Sequence, residues 1–300
     1  MDESPPGSAD DGTVPKLPKV PRSTTFRRLV AMLVTALLAG FALGGCGGHG
    51  RHATRQTART TRTPDTSSGP PRCAADPDRT AAVNTMIADT PDGSTVRFPS
   101  GACFRVDGTI SIVGRHDLTI DGNGTTFVRA SATPNTFSAQ WLIQASTGVT
   151  IVSVHVEGPK RDGDGFNHTY EGQPGIAIDN SVRVTVENST IRGVWGDFFR
   201  ISNLTDTVGI ANNVLTQAGR QGLAVVGGAN IVFDHNVVSN ARRFAIDLEP
   251  YGSSPVHAVT ISNNQLLHPT YGFICATGFD RRCVRRGLSD VSVTGNVEQW

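Results

Sequence analysis

Two carboxylates alternate with apolar residues in the stretch FAIDLEP, residues 244–250. Ile246 and Leu248 alternate with Asp247 and Glu249, a pattern that is typical of a β-strand with one buried face. Residues i and i+2 of a strand share a face, so the two carboxylates would lie about 6.5–7 Å apart along the backbone. That spacing falls within the range of about 6.5–9.5 Å between the acid and base of an inverting glycoside hydrolase, but two carboxyls on one strand approach a sugar from the same side, which suits attack from opposite faces poorly. Carboxylate oxygens also favour Ca²⁺, so calcium is a candidate cofactor at Asp247 and Glu249.

These residues belong to a repeated pattern that predicts stacked β-strands. A short phrase recurs as VTVENSTI, VGIANNVL, IVFDHNVV, VTISNNQL and VSVTGNVE. One polar residue marks the same position in each copy, at intervals of 24, 23, 28 and 32 residues: Ser189, Asn213, Asn236, Asn264 and Asn296. Each period holds a second apolar strand, so we expect a solenoid of parallel strands, with a β-sandwich as the alternative. Equivalent asparagines would then stack about 4.8 Å apart and form a hydrogen-bonded ladder.

The repeat assigns an inner and an outer face to the second strand of each coil. The predicted inner residues are Ile176 and Ile178, Phe199 and Ile201, Leu223 and Val225, Ile246 and Leu248, and Phe273 and Cys275. The predicted outer residues are Ala177 and Asp179, Arg200 and Ser202, Ala224 and Val226, Asp247 and Glu249, and Ile274 and Ala276. Small side chains around Ala224 predict a floor that can accept an extended sugar chain. A long insertion, residues 157–175, is expected to line the binding face.

The corner before these strands carries most of the other functional groups. Seven residues after the polar marks stand Gly196, Arg220, Arg243 and Tyr271, and the next position holds Asp197, Gln221, Phe244 and Gly272. The catalytic candidates are Arg220, Asp247 and Glu249, and the substrate-binding candidates are Asp197, Arg200, Gln221, Arg243 and Tyr271. Arg200 aligns with Asp247 two coils away, or about 9–10 Å. The alternative is a surface ion-pair network in which the arginines offset the carboxylates.

The folded region resembles a known group of proteins. TMIADTPDGSTVRFPSGACFRVDGTISI followed by DLTIDGNGTTFV is similar to the cap, corner and first coil of right-handed parallel β-helix proteins of the pectate lyase-like superfamily. GRQGLAVVGGANIVFDHNVVSNARRFAIDLEP is similar to a bacterial carbohydrate-active subgroup that carries RQG and then D-x-E-P one coil later. The resemblance covers residues 78–300 and implies an all-β fold, a right-handed parallel β-helix with a short N-terminal cap. The superfamily includes lyases, hydrolases, epimerases, esterases and adhesins, so its fold does not specify the reaction.

Three activities fit the candidate residues. In a polysaccharide lyase, Asp247 and Glu249 would hold Ca²⁺ against a uronate carboxylate while Arg220 or Lys160 takes the C5 proton. In an inverting glycoside hydrolase the same carboxyls would be acid and base, with Asp197 as an alternative partner. In a glycan-binding adhesin the arginines would recognise an acidic sugar without turnover. We expect a surface-anchored protein that acts on acidic polysaccharide, with the lyase ahead of the other two.

The N-terminal 72 residues predict export. Arg27 and Arg28 precede an apolar run, residues 29–45, that ends in LGGC. This run resembles a bacterial lipoprotein signal over residues 1–46, which implies cleavage before Cys46 and lipid attachment to its sulfur. An uncleaved anchor and ordinary secretion are the alternatives, and all three place the rest of the chain outside the cytoplasm. Residues 47–72 are polar and predict a disordered basic linker, which leaves residues 73–300 for the β-helix domain.

The cysteine count agrees with export. Beyond Cys46 the chain has four cysteines, an even number that suits an oxidising compartment. Three pairings are open from the sequence, and proximity favours Cys73–Cys103 and Cys275–Cys283.

The formal net charge of +1 gives no indication of a nucleic-acid partner. The candidate site and the resemblance predict an acidic polysaccharide or envelope glycan as a partner. The lipoprotein-like signal predicts a membrane as a second partner, through the lipid anchor.

Overall fold

The computed structural model describes residues 73–300, which form a stack of coils bounded by three parallel sheets. Each full coil contributes one strand to each sheet. The predicted signal segment with Cys46, and the predicted linker at residues 47–72, lie outside the described residues. Within residues 73–300, no helix has the length and hydrophobicity needed to cross a membrane. The fold is the right-handed parallel β-helix that the sequence predicts.

The first sheet has eight parallel strands and a continuous apolar inner column. Its strands are β1 Thr95–Arg97, β4 Thr119–Asp121, β7 Thr150–Val152, β10 Val182–Glu187, β13 Asp206–Ala211, β16 Gly228–Asp234, β19 Val256–Ser262 and β22 Leu288–Thr294. Alternation turns one side chain of each short strand inward, and the fully buried column is Ile120, Ile151, Val186, Ile210, Phe233 and Ile261. Each coil thus buries its apolar surface against its two neighbours.

The second sheet also has eight strands, each three residues long. They are β2 Cys103–Arg105, β5 Thr126–Val128, β8 His155–Glu157, β11 Thr190–Arg192, β14 Val214–Thr216, β17 Val237–Ser239, β20 Gln265–Leu267 and β23 Val297–Gln299. The central residue of each inner strand points into the core, which gives the buried column Phe127, Val156, Ile191, Leu215, Val238 and Leu266.

The third sheet has seven strands and carries the candidate site on its outer face. They are β3 Ile110–Val113, β6 Trp141–Gln144, β9 Ile176–Asp179, β12 Phe199–Ser202, β15 Leu223–Val225, β18 Phe244–Leu248 and β21 Gly272–Cys275. The predicted inner pairs from Ile176 to Leu248 stack in register and are fully buried.

The predicted faces of the last strand are wrong by one residue. Ile274 aligns with Ile246, and Cys275 aligns with Asp247 on the outer side. The sequence prediction had placed Phe273 and Cys275 inside and Ile274 outside. Because Gly272 aligns with Phe244, the alternation in β21 follows that of β18, and the outward Cys275 can reach the loop that follows it.

The corner between the first and second sheets is built from an asparagine ladder. Asn213 Nδ2 donates to Asn236 Oδ1 at 3.0 Å, and Asn236 Nδ2 donates to Asn264 Oδ1 at 3.1 Å. Asn264 Nδ2 continues the ladder to Asn296 Oδ1 at 2.9 Å. His235, which precedes Asn236, has φ of 52° and is a turn residue in the left-handed region. The ladder satisfies the amide groups that the turn buries.

A short helix and two disulfides complete the described structure. Helix α1, Thr80–Asp89, covers the first coil with Val83 and Ile87, and it is the predicted N-terminal cap. Disulfides join Cys73 to Cys103 and Cys275 to Cys283, the two pairings that sequence proximity favours. Each disulfide connects a segment outside the regular coils to a strand of the stack.

Candidate active site

The candidate site lies at the corner between the second and third sheets. Arg220 N donates to Gly196 O at 3.1 Å, and Arg243 N donates to Arg220 O at 2.9 Å. Tyr271 N donates to Arg243 O at 3.0 Å. These bonds align Gly196, Arg220, Arg243 and Tyr271 in one column, as the repeat predicts. The Arg220, Arg243 and Tyr271 side chains therefore start from neighbouring coils about 4.8 Å apart.

Arg220 is the centre of a cluster of carboxylates. Its Nη1 donates to Asp197 Oδ2 at 2.9 Å, and its Nη2 donates to Glu249 Oε1 at 2.6 Å. Its Nε lies 3.8 Å from Glu171 Oε2, on the inserted loop. The Arg220 side chain is 15% exposed, and those of Asp197 and Glu249 are 1% and 19% exposed. The network is therefore largely buried, whereas the alternative prediction had placed it on the surface.

Gln221 connects Asp197 to Asp247. Its backbone N donates to Asp197 Oδ1 at 2.9 Å, and its Nε2 donates to Asp247 Oδ2 at 2.6 Å. Its Oε1 accepts a bond from Phe244 N at 3.0 Å, which fixes the orientation of the amide. The fully buried Gln221 thus positions both aspartates.

Asp247 is a buried acid whose hydrogen bonding is incomplete. It is 2% exposed, and among residues 73–300 its Oδ1 has no hydrogen-bond partner. Arg285 Nη2 lies 3.8 Å from that oxygen. Burial raises the pKa of Asp247 to about 7, and the charge of Glu249 adds to the rise, although Arg285 and Arg220 oppose it. A large fraction of this carboxyl is therefore protonated near neutral pH.

Asp197 and Arg220 respond to the same burial in different ways. Burial raises the pKa of Asp197 to about 6, more than the nearby Arg220 charge and the Gln221 amide lower it. Burial opposes the charge on Arg220, but the carboxylates of Asp197 and Glu249 outweigh it and raise the arginine pKa above its ordinary value. The guanidinium therefore stays charged throughout the physiological pH range.

The other predicted binding residues contact aromatic rings. The Arg243 guanidinium lies 5.4 Å from the Phe166 ring centre and 5.7 Å from that of Tyr271, and its buried Nε has no hydrogen-bond partner in the described part of the chain. Arg200 lies 5.1 Å from the ring centre of Phe137. These are cation–π contacts. The charge of Arg200 also lowers the pKa of Asp197 in the carboxylate cluster, although less than Arg220 does. Tyr271 is 44% exposed and can contact a ligand.

Access to this face differs from the sequence prediction. Ala224 aligns with Arg200 and Asp247 as predicted, but it is fully buried, so the expected open floor is covered. Arg285 lies beside Asp247 from the loop after Cys283. Asp247 is 2% exposed, so a ligand can contact it only after neighbouring side chains move.

Sequence reasoning missed the residues that loops bring to the site. Glu171 and Phe166 come from the inserted loop, Phe137 from the loop before β6, and Arg285 from the segment after Cys283. The long insertion at residues 157–175 was a usable signal, since it predicts that this segment lines the site. Nothing in the repeat indicates which of its side chains do so.

The donor set at Asp247 and Glu249 fits calcium poorly. Ca²⁺ takes six to eight oxygen ligands, whereas one oxygen of Glu249 is bonded to Arg220 and one of Asp247 to Gln221. Across residues 73–300, no group of three or more His, Cys, Asp or Glu side chains could hold one metal ion. Calcium at these two residues stays a prediction.

Lys160, the second base candidate, lines a separate pocket. Its Nζ donates to the Arg161 carbonyl at 3.2 Å, and the pocket is shared with Arg242. Burial and then the charge of Arg242 lower the pKa of Lys160 to about 8. No contact joins Lys160 to Asp247 in the described structure.

Comparisons with solved structures found other β-helix proteins at low identity. The catalytic unit of the GH87 α-1,3-glucanase from Streptomyces thermodiastaticus is 17% identical, with a TM-score of 0.45 over 78% of this chain. This chain spans 48% of that catalytic unit. The endo-xylogalacturonan hydrolase of Aspergillus tubingensis is 11% identical, with a TM-score of 0.34 over 74% of this chain and 89% of its own. The surface protein and adhesin PfbA of Streptococcus pneumoniae is 11% identical, with a TM-score of 0.36 over 73% and 92%.

Sequence comparison gives a family. The search of curated proteins found no match. A family model described as "right handed beta helix region" matches residues 107–281, more than half of the chain and nearly all of the coils that build the site. The chain belongs to the right-handed β-helix family.

Proposed function

We propose that this protein is a glycoside hydrolase that acts on a polysaccharide, with Asp247 as the general acid. The observation that carries the proposal is the buried Asp247 carboxyl, with a pKa of about 7 and an Oδ1 that lacks a hydrogen-bond partner within the described residues. A general acid needs a proton at the working pH and an unoccupied oxygen to deliver it. Asp247 meets both requirements.

Glu249 is the better candidate for the general base. It is more exposed than Asp197, and Arg220 bonds only one of its oxygens, whereas both oxygens of Asp197 accept hydrogen bonds. The backbones of Asp247 and Glu249 are about 6.5–7 Å apart along the chain. Inversion also requires that the two carboxyls, which start from the same side of the chain, reach opposite faces of the sugar ring. Asp197 then holds Arg220 and Gln221 in place.

The reaction balances with these two groups. Asp247 gives its proton to the glycosidic oxygen as the C–O bond breaks. A water molecule forms the new bond to the anomeric carbon and gives its proton to Glu249. Arg220 Nη2 donates to Glu249 Oε1 and orients this carboxylate before the reaction.

Elimination, which the sequence favoured, has weaker support from the geometry. A lyase needs a base that can lose its proton, and Arg220 is held by two carboxylates that raise its pKa. Lys160 has a lowered pKa but lies in another pocket. We therefore place hydrolysis ahead of elimination, and acidic polysaccharide stays the expected substrate class.

A panel of neutral and uronate polysaccharides tests the proposal. New reducing ends without ultraviolet absorbance, with an inverted anomer in the first product by proton NMR, are the expected result. An unsaturated product that absorbs in the ultraviolet would support a lyase instead. Retention on glycan beads without turnover would support a glycan-binding adhesin.

We also propose that the protein is held at the outer surface of the cell membrane through Cys46. The LGGC sequence after an apolar run supports this location. Mass spectrometry of the mature N-terminal peptide should find a lipid-modified Cys46. An unmodified N-terminus in the culture medium would indicate ordinary secretion.

A further inference from the structure

A pocket beside the candidate active site carries more positive than negative charge. It has a volume of about 190 Å³ and lies under the inserted loop, lined by Lys160, Asp162, Gly163, Gln217, Asn240 and Arg242. Gln217 and Asn240 are corner residues of successive coils, with φ of 69° and 56°. The regular stack thus supplies one wall, and the loop supplies the other.

The cations of this pocket lack sufficient partners. Lys160 is only 4% exposed, yet within residues 73–300 its ammonium group has a single hydrogen bond, to the Arg161 carbonyl, and the charges of Asp164 and Asp162 only partly offset its own. Arg242 Nε is buried and has no hydrogen-bond partner within residues 73–300. The carboxylate of Asp162 lies 3.5 Å from Arg192 Nη2, so part of its charge is already offset. Buried charge without a partner is costly, and an anion in the pocket would reduce that cost.

The neutral side chains add donors of the right kind. Gln217 Oε1 accepts a bond from Arg192 Nε at 3.2 Å, which leaves its NH₂ group as a donor. Asn240 contributes a second amide to the lining. Charged nitrogens with amide donors match the oxygens of a carboxylate or sulfate.

We propose that this pocket is a binding site for one carboxylate or sulfate group. Its volume is below the 300–1,000 Å³ of typical small-molecule pockets, so it accepts one substituent or one sugar residue. Binding here does not depend on hydrolysis at Asp247. The anion is either a free ion or the acidic group of a sugar chain.

Calorimetric titration of the full chain with sodium sulfate, sodium glucuronate, a glucuronate tetrasaccharide and neutral glucose tests this site. The three anionic probes should bind saturably and glucose should not. Arg242→Gln and Lys160→Met should each weaken anion binding about tenfold, as expected for loss of one charge-assisted contact. Arg97→Gln removes an exposed charge from the first sheet and is the matched control, which should leave anion binding unchanged.

Asn240→Asp keeps the test valid if removal of a buried cation prevents folding. It adds a carboxylate to the pocket wall, at a left-handed position that Asp tolerates, and should also weaken binding. Tighter binding of the tetrasaccharide than of glucuronate would assign the site to a glycan, and equal binding of all three anions would assign it to a free ion. Absence of anion binding, or binding that none of the pocket variants weakens, would overturn the proposal.

Discussion

Two corners of the same coils use polar residues in opposite ways. Between the first and second sheets, the same residue recurs at Asn213, Asn236 and Asn264, and each amide is bonded to the next. Between the second and third sheets, the residue changes at every step, from Gly196 to Arg220 to Arg243 to Tyr271. The first corner satisfies its buried groups, whereas the second leaves Asp247 Oδ1 without a partner in the described structure.

We interpret this difference as one between residues that stabilise the stack of coils and residues that we propose act on a ligand. A side chain that serves every coil can repeat, because each coil has the same need. A site acts at one place, so its residues break the repeat and tolerate local cost. In this fold, a charged residue that does not recur in the equivalent position of neighbouring coils is therefore a better indicator of a site than a polar residue that recurs.

The largest effect should come from Asp247→Asn. Loss of the general acid should lower kcat about 10²- to 10⁴-fold, because a carboxamide is too weak an acid to protonate the leaving oxygen. Asp290→Asn, on an exposed position of β22, is the matched control and should leave kcat unchanged. Full activity of Asp247→Asn would contradict the proposal that the second corner is a catalytic site.

Arg220→Met should be the most destabilising change at the second corner. It leaves the buried carboxylate of Asp197 and its neighbour Glu249 without their cation, which should cost about 3–5 kcal/mol in urea unfolding. Arg97→Met breaks an exposed pair with Asp121 and should cost at most about 1 kcal/mol. Equal losses in the two variants would contradict a buried network, and the added variant Asp197→Asn should restore part of the stability.

The free energy of unfolding should depend on pH through Asp247, whereas the asparagine amides of the first corner do not titrate. The pKa of Asp247 rises on folding from its ordinary 3.8 to about 7, so between these values the folded protein binds more protons than the unfolded chain. Stability should therefore fall as pH rises from about 4 to about 7, by up to about 4 kcal/mol from this group. Urea unfolding of Asp247→Asn over the same range should lack this contribution. Parallel curves for the two proteins would show that Asp247 does not titrate in this way.

Asn236→Ala should affect the first corner alone. It removes the acceptor of Asn213 and the donor to Ile210 O, and the unsatisfied groups should cost about 2–3 kcal/mol. Activity at a temperature where the variant stays folded should match the parent. A large loss of kcat in folded Asn236→Ala would mean that the two corners are coupled.

The smallest effect should come from Arg285→Ala. The Arg285 charge lowers the pKa of Asp247, so its loss should raise that pKa further. Carbon-13 NMR of the aspartate carboxyls would measure the change. Arg286→Ala, at the exposed neighbouring position, should give no shift, and a shift of equal size would indicate only a general charge effect.

The sequence predicts the relative positions of residues that occupy equivalent places in successive coils. The ladder, the column from Gly196 to Tyr271 and the alignment of Arg200 with Asp247 all follow from counting along equivalent coils. The same counting could not find Glu171 or Arg285, since loop side chains have no equivalent in neighbouring coils. Burial of the cluster also depends on those loops, so the sequence could not predict the raised pKa of Asp247.

The error in β21 shows the limit of alternation. Phe273 is large and apolar and was placed inside, but the backbone aligns Ile274 with Ile246. A short strand with apolar residues on both sides gives no clear pattern, and a shift by one residue exchanges its faces. The corner count, which aligned Gly272 with Phe244, contained the correct answer.

The loop between β8 and β9 leaves one coil and contacts the next three. Tyr170 stacks on Trp195, Glu171 lies near Arg220, and Phe166 lies under Arg243. The strands on either side keep their register whatever the loop contains, because their hydrogen bonds run to other coils. We therefore expect that replacement of this loop would change ligand preference and leave the stacked coils intact. Evolution and protein engineering can both vary the site through this one loop.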